Sequence, residues 1–265
     1  MATDLHKSSY PTYADKIKTK DDFIQRTLLG INRLNEEVLG FVYKNELIRL
    51  VHFFFIEEDK YLQLISFQSD EYSDVAMAEL LSYIDMHYGD YDLFFGFPKE
   101  NKSAINTLKM NDFFLQEESY HQVLLFKNYH LKDEEEFVEI THENYIEFEK
   151  MHRLIEGDMY WNSQRILTNI NSWNIYLCYE NGNAIGSIYF IYKDKMMEIF
   201  GIDYLDNLYN ENVFKKLIIK ALNEGKKNGM DYLVFFTDQK MKEYLTSLGF
   251  VYVSKYCLLC KKDSL

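Results

Sequence analysis

A chain of 265 residues suits one large domain or two ordinary ones, and its 47% hydrophobic and 17% aromatic content excludes disorder. The formal net charge of −13 repels phosphate backbones and argues against nucleic acid as a partner. No apolar run reaches the about 18 residues of a membrane span, the opening MATDLHKSSY has no signal-peptide core, and three cysteines are too few for a disulfide framework, so a soluble cytoplasmic protein is expected.

In the first half, DDFIQRTLLGINRL reads as helical. Residues 37–68 then form three strand-like runs with polar turns at Lys44-Asn45 and Glu57–Lys60. A helix over SDVAMAELLSYIDMHYG ends at Gly89, YDLFFGF has the unbroken apolar character of a buried strand, NKSAINTLKMND is helical, and QVLLFK is a final strand. The acidic stretch HLKDEEE (130–136) is the natural joint, which gives expected domains of 1–130 and 131–265.

The second half repeats this order behind an extra short strand, EEFVEIT. Two helices follow, over HENYIEFEKMHRLIEG and WNSQRILTNINSW, and then a three-strand meander whose Asn181-Gly182 dipeptide is a tight hairpin turn. A helix places Val213, Phe214, Leu217, Ile218 and Ala221 on one face; DYLVFFTD is a buried strand; QKMKEYLTSLGF is a helix ending at Gly249, and VYVSKYCLLCKK closes the copy. Leu80-Leu81 corresponds to Leu217-Ile218 and Asp112-Phe113 to Gly249-Phe250, each 137 residues apart, which marks an internal repeat. Cys257 and Cys260 form a lone C-x-x-C on a strand, where residues three apart face opposite ways, so no metal site is expected.

This order of elements, with KEYLTSLGF in the second copy and Asn101, Ala104, Ile105 and Asp112-Phe113 in the first, resembles the GNAT-type N-acetyltransferases. The resemblance covers nearly all of 135–262 and, more loosely, 20–127. It implies an α/β (α+β) fold of two tandem domains, each a mixed, mostly antiparallel sheet with a splayed parallel pair flanked by helices. It also implies acetyl-CoA as co-substrate, its pantetheine arm on the backbone near Phe200, Gly201 and Ile202. The pyrophosphate would lie on the helix start at Asn212, Val213 and Phe214, where free N–H groups and the helix dipole favour anions. Asp238, opening the penultimate helix, joins this cofactor set. Neither copy carries the glycines usual in the phosphate loop: the second reads YNENVFKK, where Phe214 fits more simply as a core residue, and the first EYSDVAMAELL, with the small Ala76 and Ala78.

For the chemistry, the resemblance implies direct transfer, with a base for the amine and a tyrosine to protonate the departing thiolate. Glu198 is the best-placed base, with Asp203 and Asp206, just beyond the strand, as weaker alternatives. The usual tyrosine position is Leu245, with Tyr244 about 100° round the helix, and Leu108 stands there in the first copy. Tyr244 is the candidate acid; its other reading is an ordinary packed tyrosine. His152 and Glu149 read as a solvated helix face, and Tyr160, Trp161 and Trp173 as candidates to line an acceptor pocket. Two readings stay open: an N-acetyltransferase for a small or peptide amine, active in the complete second copy, and a non-catalytic tandem binding module. The aromatic excess leaves room for a homodimer.

Overall fold

The computed structural model describes residues 25, 28–67, 73–133, 135–157 and 159–262. The helix expected over 21–34 and the first copy's phosphate loop fall partly outside them; residues 28–31 are helical. The first half runs β1 (Glu36–Tyr43), β2 (Glu46–Ile56), β3 (Tyr61–Phe67), α1 (Ser73–Tyr88), β4 (Asp92–Pro98), α2 (Lys102–Met110) and β5 (Phe114–Leu125). The second runs β6 (Phe137–Glu139), α3 (Tyr145–His152), α4 (Ser163–Thr168), β7 (Asn174–Glu180), β8 (Asn183–Lys193), β9 (Met196–Tyr204), α5 (Glu211–Lys227), β10 (Tyr232–Thr237), α6 (Gln239–Ser247) and β11 (Val251–Lys261). Both first hairpins turn on residue pairs of positive φ, as two-residue hairpin turns of this hand require: 49° and 65° at Lys44-Asn45, 52° and 80° at Asn181-Gly182.

The chain folds into two units, residues 1–121 with 253–265, and residues 122–252. In the first unit β1, β2 and β3 form an antiparallel meander, β3 pairs in parallel with β4, and β11 closes the sheet antiparallel to β4 from Tyr256↔Pro98 to Lys261↔Leu93. In the second, β6, β7, β8 and β9 are antiparallel and β9 pairs in parallel with β10. The far side of β10 is taken by the end of β5: Phe126 N–H donates to Asp231 O at 2.9 Å, and Thr237 donates to Gln122 Oε1 at 3.1 Å. The end of β5 therefore belongs to the unit built by the second half, and most of β11 to the unit built by the first. A repeat makes this exchange feasible, because two like sheets offer a strand the same kind of edge.

Alternation along the strands sorts the second unit into two cores. Tyr176 and Cys178 of β7 pack with Leu217, Ile218, Ala221 and Leu222 of α5; Ile175 and Leu177 face Phe148 and Met151 of α3. The first-half residues Leu124, Phe126 and Tyr129 belong to the α5 core. The first unit has one main core, in which Cys257 and Leu259 of β11 join Leu80, Phe95 and Leu108. The helix ends of the repeat match closely. Asp112 and Gly249 take φ of 67° and 98°, and the next residue, Phe113 or Phe250, donates its N–H to Leu108 O or Leu245 O, both at 3.1 Å. Among the described residues no helix is long and apolar enough to cross a membrane.

Candidate active site

The second unit's site begins where its parallel ladder stops. β9 and β10 pair from Met196↔Tyr232 to Ile199↔Phe235, and β9 then continues to Tyr204 without that partner. At the same place β9 bulges: Phe190 faces Ile199 and Tyr189 faces Gly201, so Phe200 is an extra residue. The bulge turns β9 at the point where its pairing with β10 ends. The first unit repeats the device, with pairing that ends at Gln63↔Phe94 and Ile65 as the extra residue between Leu64↔Phe53 and Ser66↔His52.

Met197 and Ile199 point into the α5 core, so Glu198 between them points to the α3 face. Phe200 turns to that face as well, edge-on to Trp173 at 4.9 Å and to Trp161 at 6.5 Å between ring centroids. Trp161 and Trp173 touch at 5.2 Å, so two of the expected acceptor-pocket aromatics come together; Tyr160 lies against Trp161 at 5.0 Å and carries the Arg165 guanidinium on its ring. At Gly201 a Cβ would meet the Tyr189 hydroxyl at 2.1 Å, so only glycine admits this packing.

Beneath the bulge lies a buried polar cluster. His152 Nδ1 is 3.0 Å from Asp203 Oδ2, its Nε2 is 3.0 Å from the Trp161 carbonyl, and Ser187 donates to the same Asp203 oxygen at 3.2 Å. Both side chains of the His152–Asp203 pair are 0% exposed. A carbonyl only accepts, so Nε2 carries a proton, and the carboxylate favours a second proton on Nδ1. Burial would depress the His152 pKa, but the hydrogen bond and charge of Asp203 outweigh it and raise it above the ordinary 6.5. Two expectations are corrected here. Asp203 lies within β9, buried and bonded, rather than beyond the strand; Asp206 does lie beyond it, with a φ of 55°. His152 faces the core rather than solvent, because it follows Phe148 by one helical turn and stacks on that ring at 5.0 Å. Glu149 instead bridges to Arg153 at 2.7 Å.

The cofactor candidates at α5 are already engaged. Asn210 caps the helix and accepts from the N–H groups of Asn212 at 3.0 Å and Val213 at 3.2 Å, while Phe214 N–H donates to Asn210 O at 2.9 Å. The Phe214 side chain is 0% exposed and meets Tyr244 edge-on at 5.8 Å. A pocket of about 330 Å³ opens beside this turn, walled by Lys215, Lys216 and Glu180. Lys215 bridges to Glu211 at 2.5 Å and Lys216 to Glu135 at 2.7 Å. Asp238 caps α6 and accepts from Met241 N–H at 3.0 Å. Tyr244 packs on the α5 core with the Lys215 ammonium 5.2 Å from its ring, on the sheet face opposite Glu198. Leu245, in the usual tyrosine register, is 0% exposed.

No family model matches the sequence, and no curated protein matches it. Solved structures match its fold. A GCN5-related N-acetyltransferase from Sphaerobacter thermophilus superposes with a TM-score of 0.67 at 8% identity, over 93% of this chain and 87% of that one. One from Kribbella flavida gives 0.61 at 12% identity, over 91% and 95%. A tandem GNAT protein from the clavulanic acid biosynthesis pathway gives 0.57 at 8%, over 96% and 90%. The chain has the tandem GNAT fold. At these identities the likeness is one of fold, and function rests on the site itself. The sequence pattern put His152 on a solvated helix face and did not single out Lys215 and Lys216. Adjacent lysines just inside a helix start next to the expected phosphate turn were the available signal for the second.

Proposed function

We propose that the chain is a cytoplasmic acyl-CoA-dependent N-acetyltransferase for a small amine or peptide amine, with the second unit as the working copy. The observation that carries this reading is the bulge and splay of β9 directly beyond Glu198. That geometry offers strand backbone beyond the end of the parallel ladder to an extended, amide-bearing arm such as pantetheine. The buried Tyr204 hydroxyl and Asp203 Oδ1, both without a hydrogen-bond partner among the described residues, are consistent with such an arm or its water. At the phosphate end, Lys215 and Lys216 supply charge, and Asn212 and Val213 supply amides once the Asn210 side chain swings away, while the Phe214 amide stays on the Asn210 carbonyl. The residues fit the co-substrate on those terms.

When bound, acyl-CoA supplies the thioester carbon to be attacked. Glu198 is the proposed base that takes the amine proton, directly or through water. Tyr244 is the proposed donor to the departing sulfur. Burial raises its pKa against the opposing pull of Lys215, so its hydroxyl keeps its proton near neutral pH. Titration with acetyl-CoA tests the reading: ligand at 100 times its Kd should add about 2.7 kcal/mol to unfolding stability. No shift at millimolar acetyl-CoA or longer acyl-CoAs would overturn it.

A second reading, a non-catalytic binding module, draws on the same helix start. The amides of Asn212, Val213 and Phe214 already have partners, and Glu211 in the first turn opposes a pyrophosphate. The titration separates the two.

A further inference from the structure

His152 joins two parts of the second unit that the proposed chemistry needs in register. Its Nδ1 holds Asp203 on β9, beside the bulge, and its Nε2 holds the backbone carbonyl of Trp161, whose ring lies against Trp173 and reaches Phe200 at the bulge itself. Phe148 stacks on one face of the imidazole and Tyr189 meets it edge-on at 5.2 Å, so the ring has no room to turn. The segment that leads to Trp161 is tied a second time, by Ser163 N–H to Glu156 Oε2 at 2.6 Å.

We propose that His152 is a positioning residue and a pH-sensitive pin: as a doubly donating imidazolium it fixes the Trp161 wall to β9, and its deprotonation frees that wall. Both bonds end on acceptors, so both hold together only while each ring nitrogen carries a proton. Loss of either proton sets a nitrogen lone pair against the Trp161 carbonyl or against the Asp203 carboxylate. The titratable groups that act on the ring are Asp203 from β9, Tyr189 from β8 and Glu156 from the segment after α3, with Tyr145 two turns earlier on α3 coupled to the same two carboxylates. The two tyrosines have pKa values raised by burial and stay neutral where the histidine titrates, and the two carboxylates both favour the charged ring. The raised His152 value places the release above the ordinary 6.5, so the wall is pinned at and below that pH and loosens as pH rises through the folded value.

Trp161 and Trp173 are the chain's only 2 tryptophans, which makes intrinsic fluorescence a local reporter that needs no turnover. In the full-length protein the emission maximum should shift to the red in one step as pH rises above neutral, at unchanged far-ultraviolet circular dichroism. The step should vanish in His152→Gln, and also in Trp161→Phe, where only the more buried Trp173 reports. Should His152→Gln fail to fold, Asp203→Asn carries the same prediction. A flat emission maximum in the wild-type protein, or an unaltered step in folded His152→Gln, would overturn the pin. The kinetic consequence rests on the acetyltransferase reading: acceptor KM should rise about tenfold across the same step while KM for acetyl-CoA holds. The step without any acetyl-CoA turnover would support the pin and count against that reading alone; equal rises in both KM values would overturn the positioning role.

Discussion

The two units share a backbone and differ in what they hang on it. Both bulge within two residues of the last pair of their parallel ladder, at Ile65 and at Phe200, and both cap and end their penultimate helix alike. At the residue two before the bulge, the first unit has Gln63, which accepts from Tyr61 at 2.8 Å, where the second has Glu198. Opposite the residue after the bulge, the first has His52, bridged to Glu36 at 2.7 Å, and the second has Tyr189 over Gly201. Both helix starts carry an acid in the first turn, Asp74 in α1 and Glu211 in α5, but α5 follows it with Lys215 and Lys216 where α1 has Ala78 and Glu79. Duplication preserved the device that opens the sheet, and the carboxylate proposed as base stands in one copy.

The most severe way to break this comparison is to remove that carboxylate. Glu198→Gln makes the second unit like the first, and kcat should fall by about 10²- to 10⁴-fold with acetyl-CoA affinity retained. Gln63→Glu should add no activity, because the first unit lacks the lysine-walled helix start. Retained turnover in Glu198→Gln would remove Glu198 as base and return attention to Asp206, the exposed alternative.

Next in size is a test of the strand exchange. Phe126 comes from the first half yet is 1% exposed in the second unit's core, and its ring end lies where a Cβ on Gly225 would be, at 2.2 Å. Phe126→Ala should cost about 3–5 kcal/mol, read by denaturant unfolding. It should lower the protection of α5 amides in hydrogen exchange more than that of α1 amides. The opposite order would contradict the assignment of residues 122–125 to the second unit.

Much of this was legible in the sequence, and the losses have physical causes. The meanders, the helix–strand alternation and the 137-residue offset are periodic features, and periodicity survives without tertiary information. The strand exchange was not legible, because QVLLFK and VYVSKYCLLCKK each carry a pattern that fits either edge of two like sheets. His152 was lost for another reason. Its partner Asp203 is 51 residues away, whereas Glu149 is within a helical turn, and local spacing favours the nearer carboxylate. The helix expected over HENYIEFEKMHRLIEG is only 8 residues long with one narrow inward stripe, so Ile146 on it and Leu154 just beyond it are each 55% exposed.

A smaller effect sharpens the comparison at the helix ends. Gly249 and Asp112 hold the same left-handed turn, which an L side chain enters at a cost of about 1–2 kcal/mol. Gly249→Ala should destabilise by about that much, and Asp112→Gly should change stability by less, because relief of the turn is offset by a more flexible unfolded chain. Equal losses from both substitutions would show that the two ends are not equivalent.

The smallest effect concerns the polar stitch that the exchanged strand brings to the first unit. Glu118 on β5 accepts from Lys99, which follows β4, at 2.7 Å, and from Lys255 on β11. These two hydrogen bonds, with the lysine charges, hold its carboxyl at about 2. The folded value is depressed, so the contribution is complete above the ordinary 4.5 and is lost as pH falls toward 2. Glu118 and both lysines are partly exposed, and solvent and salt screen the pair, so the gain is a few tenths to about 1 kcal/mol. Glu118→Gln should therefore flatten the fall in stability between those two pH values at low salt and leave stability at pH 7 only slightly lower. Because Lys255 belongs to the second half of the chain and Lys99 to the first, Lys255→Met should reproduce part of that flattening. A Lys255 variant with the wild-type acid profile would mean that Lys99 alone holds the carboxylate, and that β11 is kept beside β4 by its ladder and by Leu259 in the core.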